Sequence, residues 1–236
     1  MEIQIAASKT NKYAVTESGD TLEVAERPNG GLSVVLADGQ TSGRGAKAIS
    51  MLVVRKVISL LAEGVRDGAA ARAASDLLYT DKKGKVTSTL NIVSVDLHTG
   101  TVVITRNNPA PFFIARGEDI DCISSESNSI GTARNTRPII TEIPVELGLV
   151  IVIYTDGLLH SGERVGRPMD VGTSLKAMLE DQDPSPQAIA DALLAEAINL
   201  DEGRPADDIS VVVLKVSKRL GDDIRRMTVR LPINTG

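Results

Sequence analysis

Three apolar runs in this 236-residue chain begin or end in acids. Leu32-Ser33-Val34-Val35-Leu36 stops at Ala37-Asp38-Gly39, and Leu149-Val150-Ile151-Val152-Ile153-Tyr154 leads through Thr155 to Asp156-Gly157. A third has the opposite order: Asp207-Asp208 comes first, then Ile209-Ser210-Val211-Val212-Val213-Leu214. Short runs rich in β-branched residues read as strands. An Asp at a strand end stands on rigid backbone yet faces outward, and a following Gly admits a close neighbour to the main chain. A strand that starts with acids, antiparallel to strands that end with them, collects the carboxylates at one edge of a sheet. Asp20 precedes another strand, residues 22–27, and Pro28-Asn29-Gly30-Gly31 turns that strand back into the Asp38 run. The pair reads as a hairpin with Asp20 and Asp38 at its open end.

Carboxylates gathered in this way repel one another unless a cation or protons intervene. Asp20, Asp38, Asp156 and Asp207 are the candidate metal ligands, with Asp208 beside them. Oxygen-only donors suit Mg²⁺ or Mn²⁺, and two histidines and one cysteine are too few for a typical zinc site. Two such ions about 3.5–4 Å apart can share one carboxylate and lower the pKa of a bridging water, which then attacks phosphorus. Metal-assisted phosphate hydrolysis is the reaction class that follows. Calcium binding without catalysis is the milder reading, but these acids come from distant strands rather than from one ligand loop. Each Asp-Gly alone is most simply a turn; the joint occurrence is what points to a site.

Composition narrows the alternatives. A net charge of -5, 2% aromatic residues and no Trp argue against a nucleic-acid partner. The single Cys122 excludes an intrachain disulfide framework and reads as a half-buried small side chain. No signal peptide is visible after Met1-Glu2-Ile3-Gln4 and no apolar run reaches membrane-span length, so a cytoplasmic protein without a membrane partner is expected.

The elements that must position the acids follow from periodicity. Residues 2–7 read as a first strand and residues 10–20 as a polar connection. Gly43 and Gly45 lead into a helix with Ile49, Leu52, Val53, Val57, Leu60 and Leu61 at helical spacing, ended by Gly64. A second helix follows Asp67-Gly68, with Ala70, Ala73, Ala74, Leu77 and Leu78 on one stripe. Strands are expected at 88–97, 101–105, 111–115 and 138–143, with a loop over 124–135. Residues 161–170 look irregular, and helices are expected over 172–181 and 186–200. Strands thus lie between two helical blocks, which predicts one α+β domain of layered, mostly antiparallel sheets with a helix pair on each outer face. Residues 222–233 alternate imperfectly and suggest an added edge strand or a partner-binding arm.

The motifs also carry a family resemblance. Ala37-Asp38-Gly39-Gln40-Thr41-Ser42-Gly43-Arg44-Gly45-Ala46 resembles the Asp-Gly-x-Gly-x-Gly-x-x-Ala signature of the metal-dependent PPM serine/threonine phosphatases. Tyr154-Thr155-Asp156-Gly157-Leu158 and Asp207-Asp208-Ile209-Ser210-Val211-Val212-Val213 are similar to that family's two later motifs, in the same order and spacing. The bacterial stage-II-sporulation-E-like branch fits best. The resemblance implies a four-layer α-β-β-α sandwich over residues 1–216, leaving 217–236 as a C-terminal extension. It implies a pair of Mn²⁺ or Mg²⁺ ions, with Asp38 bridging them, the Gly39 carbonyl on one, and Asp20, Asp156 and Asp207 completing the ligation. Asp208 would act from behind these ligands. The expected substrate is a phosphoserine or phosphothreonine protein, in this branch an anti-sigma-factor antagonist.

The chain also departs from the pattern. Thr41 stands where the signature has glycine, in a longer loop, and Gln40 where some relatives carry a histidine proposed as general acid. Asn107-Asn108-Pro109-Ala110-Pro111 replaces a turn richer in glycine and histidine. His160 is a candidate general acid, against the plainer reading of a surface histidine. Two other functions compete. A haloacid-dehalogenase-like phosphatase would need a nucleophilic Asp at position 154, which is Tyr. A degenerate phosphatase fold would bind a phosphoprotein without hydrolysing it.

Overall fold

The computed structural model describes residues 1–180, 182–219 and 221–232. Among these residues ten strands form two five-stranded sheets, antiparallel at every pairing. One sheet holds β2 (Asp20–Glu26), β3 (Leu32–Gly39), β4 (Ser88–Asp96), β5 (Thr101–Asn107) and β8 (Ile139–Pro144), in that order. The other runs β1 (Glu2–Thr10), β10 (Ile209–Ser217), β9 (Leu149–Tyr154), β6 (Phe112–Arg116) and β7 (Asp119–Ile123). Helices α1 (Gly43–Ala62) and α2 (Asp67–Lys82) cover the first sheet. Helices α4 (Val171–Leu179) and α5 (Pro186–Leu200) cover the second, and one short turn of helix, α3 (Asp156–Leu159), follows β9. This is the expected four-layer α-β-β-α sandwich.

Burial on both faces explains why the central strands are so apolar. Along β9, Leu149, Ile151 and Ile153 enter the core between the sheets, while Val150, Val152 and Tyr154 face α4 and α5. Along β3, Val34 and Leu36 face the other sheet, and Val35 and Ala37 lie under α1 and α2. Each fully buried aliphatic side chain contributes about 1.5–3 kcal/mol, so these strands are fixed in register by their own pattern. On α1 the stripe Ala46, Ile49, Val53, Val57 and Leu61 is buried at helical spacing. Ser185 caps α5 by accepting from the Ala188 N–H, and Pro186 occupies its first turn.

Several details differ from the sequence reading. β7 is an edge strand that its sequence does not announce: Asp119 and Asp121 are exposed, and pairing with β6 alone makes the strand. Cys122 lies on it and is exposed rather than half-buried. Residues 161–170 include a short 3₁₀ turn, Glu163–Val165. Described residues 221–232 form no strand; Arg225 donates to Glu26 Oε1 (3.1 Å) and to the Gly30 carbonyl (3.0 Å), and Ile224, Met227, Val229 and Leu231 are exposed. Asp181 and Ile233, the ends expected for a helix and for the tail, lie outside the described residues. Among the described residues no helix is long and apolar enough to cross a membrane.

Candidate metal centre

The hairpin register sets Asp20 directly opposite Asp38 at the end of the first sheet. In the second sheet β10 lies antiparallel to β9, so Asp207-Asp208, just before β10, comes level with Thr155-Asp156, just after β9. The Thr155 N–H donates to the Ser210 carbonyl at 3.0 Å and locks this alignment. Asp38, Asp156 and Asp207 thereby line one open cleft of about 370 Å³.

Asp20 joins the two sheets at this end. Its side chain is fully buried, and its Oδ2 accepts from Thr155 Oγ1 (3.0 Å) and Ser210 Oγ (2.6 Å), both from the opposite sheet. Its Oδ1 is buried and has no donor. Lys9 and Lys47 both donate to its main-chain carbonyl, at 3.1 and 2.8 Å. Asp208 is also buried but does different work: it accepts from the Lys12 N–H (2.9 Å) and the Gly19 N–H (2.7 Å), pinning the β1–β2 connection beside the cleft. That connection delivers Lys12 to the cleft wall.

The glycines of the motifs are explained by close approach of the chain itself. A Cβ on Gly39 would lie 2.1 Å from the Ala46 carbonyl oxygen, and one on Gly157 would lie 2.1 Å from that of Asp208. Thr41 takes a φ of +82°, a strained value for a β-branched residue.

Gln40 is committed to structure, its Oε1 accepting from the Thr87 N–H at 2.9 Å. His160 does not line the cleft: α3 turns it outward, where it is 55% exposed and its Nδ1 sits 2.8 Å from Glu163 Oε1. Tyr154 is buried with its ring stacked near Phe113, so nothing at that position can serve as the nucleophile of dehalogenase-type chemistry. Lys12, Thr155 and Ser210 escaped the sequence reading. Their one visible signal was that Thr155 and Ser210 sit inside the two later acidic motifs.

Charge dominates the cleft. Burial, and then the negative charges of Asp20, Asp156 and Asp207, push the Asp38 carboxyl far above the usual carboxylate range. Burial also raises Asp20, although its two hydroxyl partners pull the other way. Asp207 is raised too, by burial first and by Asp156 after the opposing Asp208 N–H. The Asp38 carboxyl, pushed up to about 10, therefore keeps a proton at neutral pH that a cation would displace. Among the described residues no three Asp, Glu, His or Cys side chains are grouped closely enough to hold an ion as they stand. An all-oxygen donor set, mutual repulsion and the orphaned buried Asp20 Oδ1 fit a hard divalent cation.

The comparisons with known proteins agree with this architecture. The profile of the family described as stage II sporulation protein E (SpoIIE) matches residues 28–217. Stage II sporulation protein E of Bacillus subtilis (strain 168) is 22% identical over 215 residues, covering 91% of this chain and 26% of that protein. The chain thus spans about a quarter of that curated relative. The solved PP2C phosphatase domain of Bacillus subtilis SpoIIE, with a fragment of its regulatory domain, superposes with a TM-score of 0.80 at 20% identity, covering 93% of this chain and 64% of that one. The catalytic domain of the serine/threonine phosphatase PstP, solved with two manganese ions, gives 0.67 at 17% identity, covering 92% and 99%. With its three acidic motifs inside the matched span and its fold shared with these phosphatase domains, the chain belongs to the stage II sporulation protein E family.

Proposed function

We propose that this chain is a metal-dependent protein phosphatase that hydrolyses phosphoserine and phosphothreonine with a pair of Mn²⁺ or Mg²⁺ ions. One observation carries the reading: acids from two different sheets, Asp20 and Asp38 from one and Asp156 and Asp207 from the other, meet at a single end of the sandwich. Asp38, which feels the charge of the other three, would bridge the ions. Asp20, Asp156, Asp207 and the Gly39 carbonyl would complete their coordination. When bound, the ions supply an activated water and offset charge on the phosphoryl oxygens.

The chain's own residues set the geometry. Thr155 and Ser210 hold Asp20 in one rotamer through its Oδ2 and leave Oδ1 for a ligand. Asp208 holds the Lys12 segment, and the Lys12 ammonium offers the phosphoryl group a positive contact at the cleft wall. The open cleft admits a phosphorylated side chain presented on a protein surface, and an anti-sigma-factor antagonist of the cytoplasm is the substrate we propose.

The test is hydrolysis of a panel of phosphoserine and phosphothreonine proteins, such an antagonist included, with and without Mn²⁺. Turnover should need added metal and be lost in Asp38→Asn. Metal-independent turnover that survives the substitution would sink the mechanism. Metal binding without turnover of any panel member would favour the phosphoprotein-binding module instead.

A further inference from the structure

A second cleft of about 570 Å³ adjoins the first and shares Thr87 and Ser129 with it. Its walls carry Arg134 and Arg137 and no carboxylate, whereas the first cleft carries Asp38, Asp156 and Asp207. The sign of the charge therefore reverses across the shared wall.

That second cleft is a built feature. Its far wall is the segment between β7 and β8, fastened from beneath by buried side chains at the end of β5. Asn107 Nδ2 donates to the carbonyls of Asn128 (3.1 Å) and Arg137 (3.3 Å). Ser127 Oγ donates to the Arg106 carbonyl (3.0 Å) and accepts from the Asn108 N–H (3.2 Å). The buried Arg106 guanidinium donates to the carbonyls of Ile123 (3.0 Å) and Ser125 (2.5 Å). A bridge between Ser88 and the fully buried Ile130 pins the middle, and the Asn135 N–H donates to Asp76 Oδ1 at 3.0 Å.

On this fixed segment the Arg134 guanidinium lies over the Tyr79 ring, 5.2 Å from its centroid. Arg134 and Arg137 are both exposed, and among the described residues neither pairs with a carboxylate. Guanidinium forks held on a rigid wall, without a counter-charge, are receptors for carboxylate or phosphate oxygens. An extended peptide advances about 3.3–3.6 Å per residue. A chain whose phosphorylated side chain enters the acidic cleft therefore crosses into the adjoining one within a few residues.

We propose that this cleft receives the substrate residues flanking the phosphorylated side chain, and that Arg134 and Arg137 select an acidic side chain there. The inference rests on the phosphatase reading. It is tested with two phosphoserine peptides that differ only by Glu or Gln at the flanking positions, assayed with Mn²⁺ beside the small substrate p-nitrophenyl phosphate. Two exposed charge pairs are expected to give the Glu peptide a roughly 2- to 30-fold higher kcat/KM. That advantage should be carried by KM and shrink as salt rises. In the double variant Arg134→Gln/Arg137→Gln the ratio of the two peptides should fall to about 1; because it is a ratio, partial loss of folded enzyme does not affect it. Equal rates for the two peptides in the unsubstituted enzyme overturn the inference alone, as does a Glu preference that survives the double substitution. Absence of turnover for both peptides and for p-nitrophenyl phosphate overturns the phosphatase reading and this inference with it.

Discussion

Replacing Asp20 with Asn should make the metal-free protein more stable while impairing metal binding. In the metal-free chain Asp20 Oδ1 is buried without a donor and faces a cluster of like charge. An Asn keeps an acceptor for Thr155 and Ser210 and carries no charge, which removes both the cost of burying a carboxylate there and the largest neighbouring charge that raises Asp38. Relieving one unsatisfied buried polar atom is worth about 1–3 kcal/mol. For a domain of this size that raises Tm by roughly 2–12 °C.

The sign with pH is fixed by the shifts. Asp20 and Asp38 are raised above the ordinary value of 3.8, so between that value and the raised ones the folded state binds more protons than the unfolded state. Wild-type stability in EDTA therefore falls as pH rises through that window. Asp20→Asn removes one of these groups, so its advantage should be small near pH 4 and grow toward neutrality. Differential scanning calorimetry in EDTA, repeated with Mn²⁺, reads both effects. Metal should raise the Tm of the wild type much more than that of the variant. A variant less stable than wild type at neutral pH in EDTA, or one with an undiminished metal response, would refute the reasoning.

Gly157→Ala should push the start of β10 away from α3, because its Cβ would lie 2.1 Å from the Asp208 carbonyl oxygen; urea unfolding should show a loss of about 1–3 kcal/mol. Thr41→Gly should relieve the positive φ and stabilise by about 1 kcal/mol, read in the same assay. Arg106→Lys should lose at least about 2 kcal/mol, since one ammonium cannot reach the carbonyls of Ala110, Ile123 and Ser125 that the planar guanidinium serves together. Its increased hydrogen exchange should centre on residues 123–128.

Most of the scaffold was legible because burial on both faces writes itself as uninterrupted apolar runs. β3, β9 and β10 could be placed from Leu32, Leu149 and Ile209 onward, and the acids at their ends came with them. β7 was hidden because an exposed edge strand carries Asp119 and Asp121 where a central one would carry valines. Asp20 could be found only through its hairpin partner. The grip on Asp20 by Thr155 and Ser210 crosses between sheets, and no local pattern reports which hydroxyl will face which acid. His160 is four residues from Asp156, but nearness in sequence does not bring it to the cleft, because the α3 turn carries it to solvent beside Glu163. Lys12 belongs to a polar connection with no pattern of its own, and its main-chain bond to Asp208 is what holds it beside the cleft.

We propose that carboxylates from both sheets jointly hold a pair of divalent ions. Equilibrium titration of the metal-free protein with Mn²⁺, followed by calorimetry or electron paramagnetic resonance, tests it most directly. Two ions should bind per chain, with release of protons from the cluster, and Asp38→Asn should abolish binding of at least one. Failure to bind Mn²⁺ or Mg²⁺, or binding that Asp38→Asn leaves intact, would contradict the account.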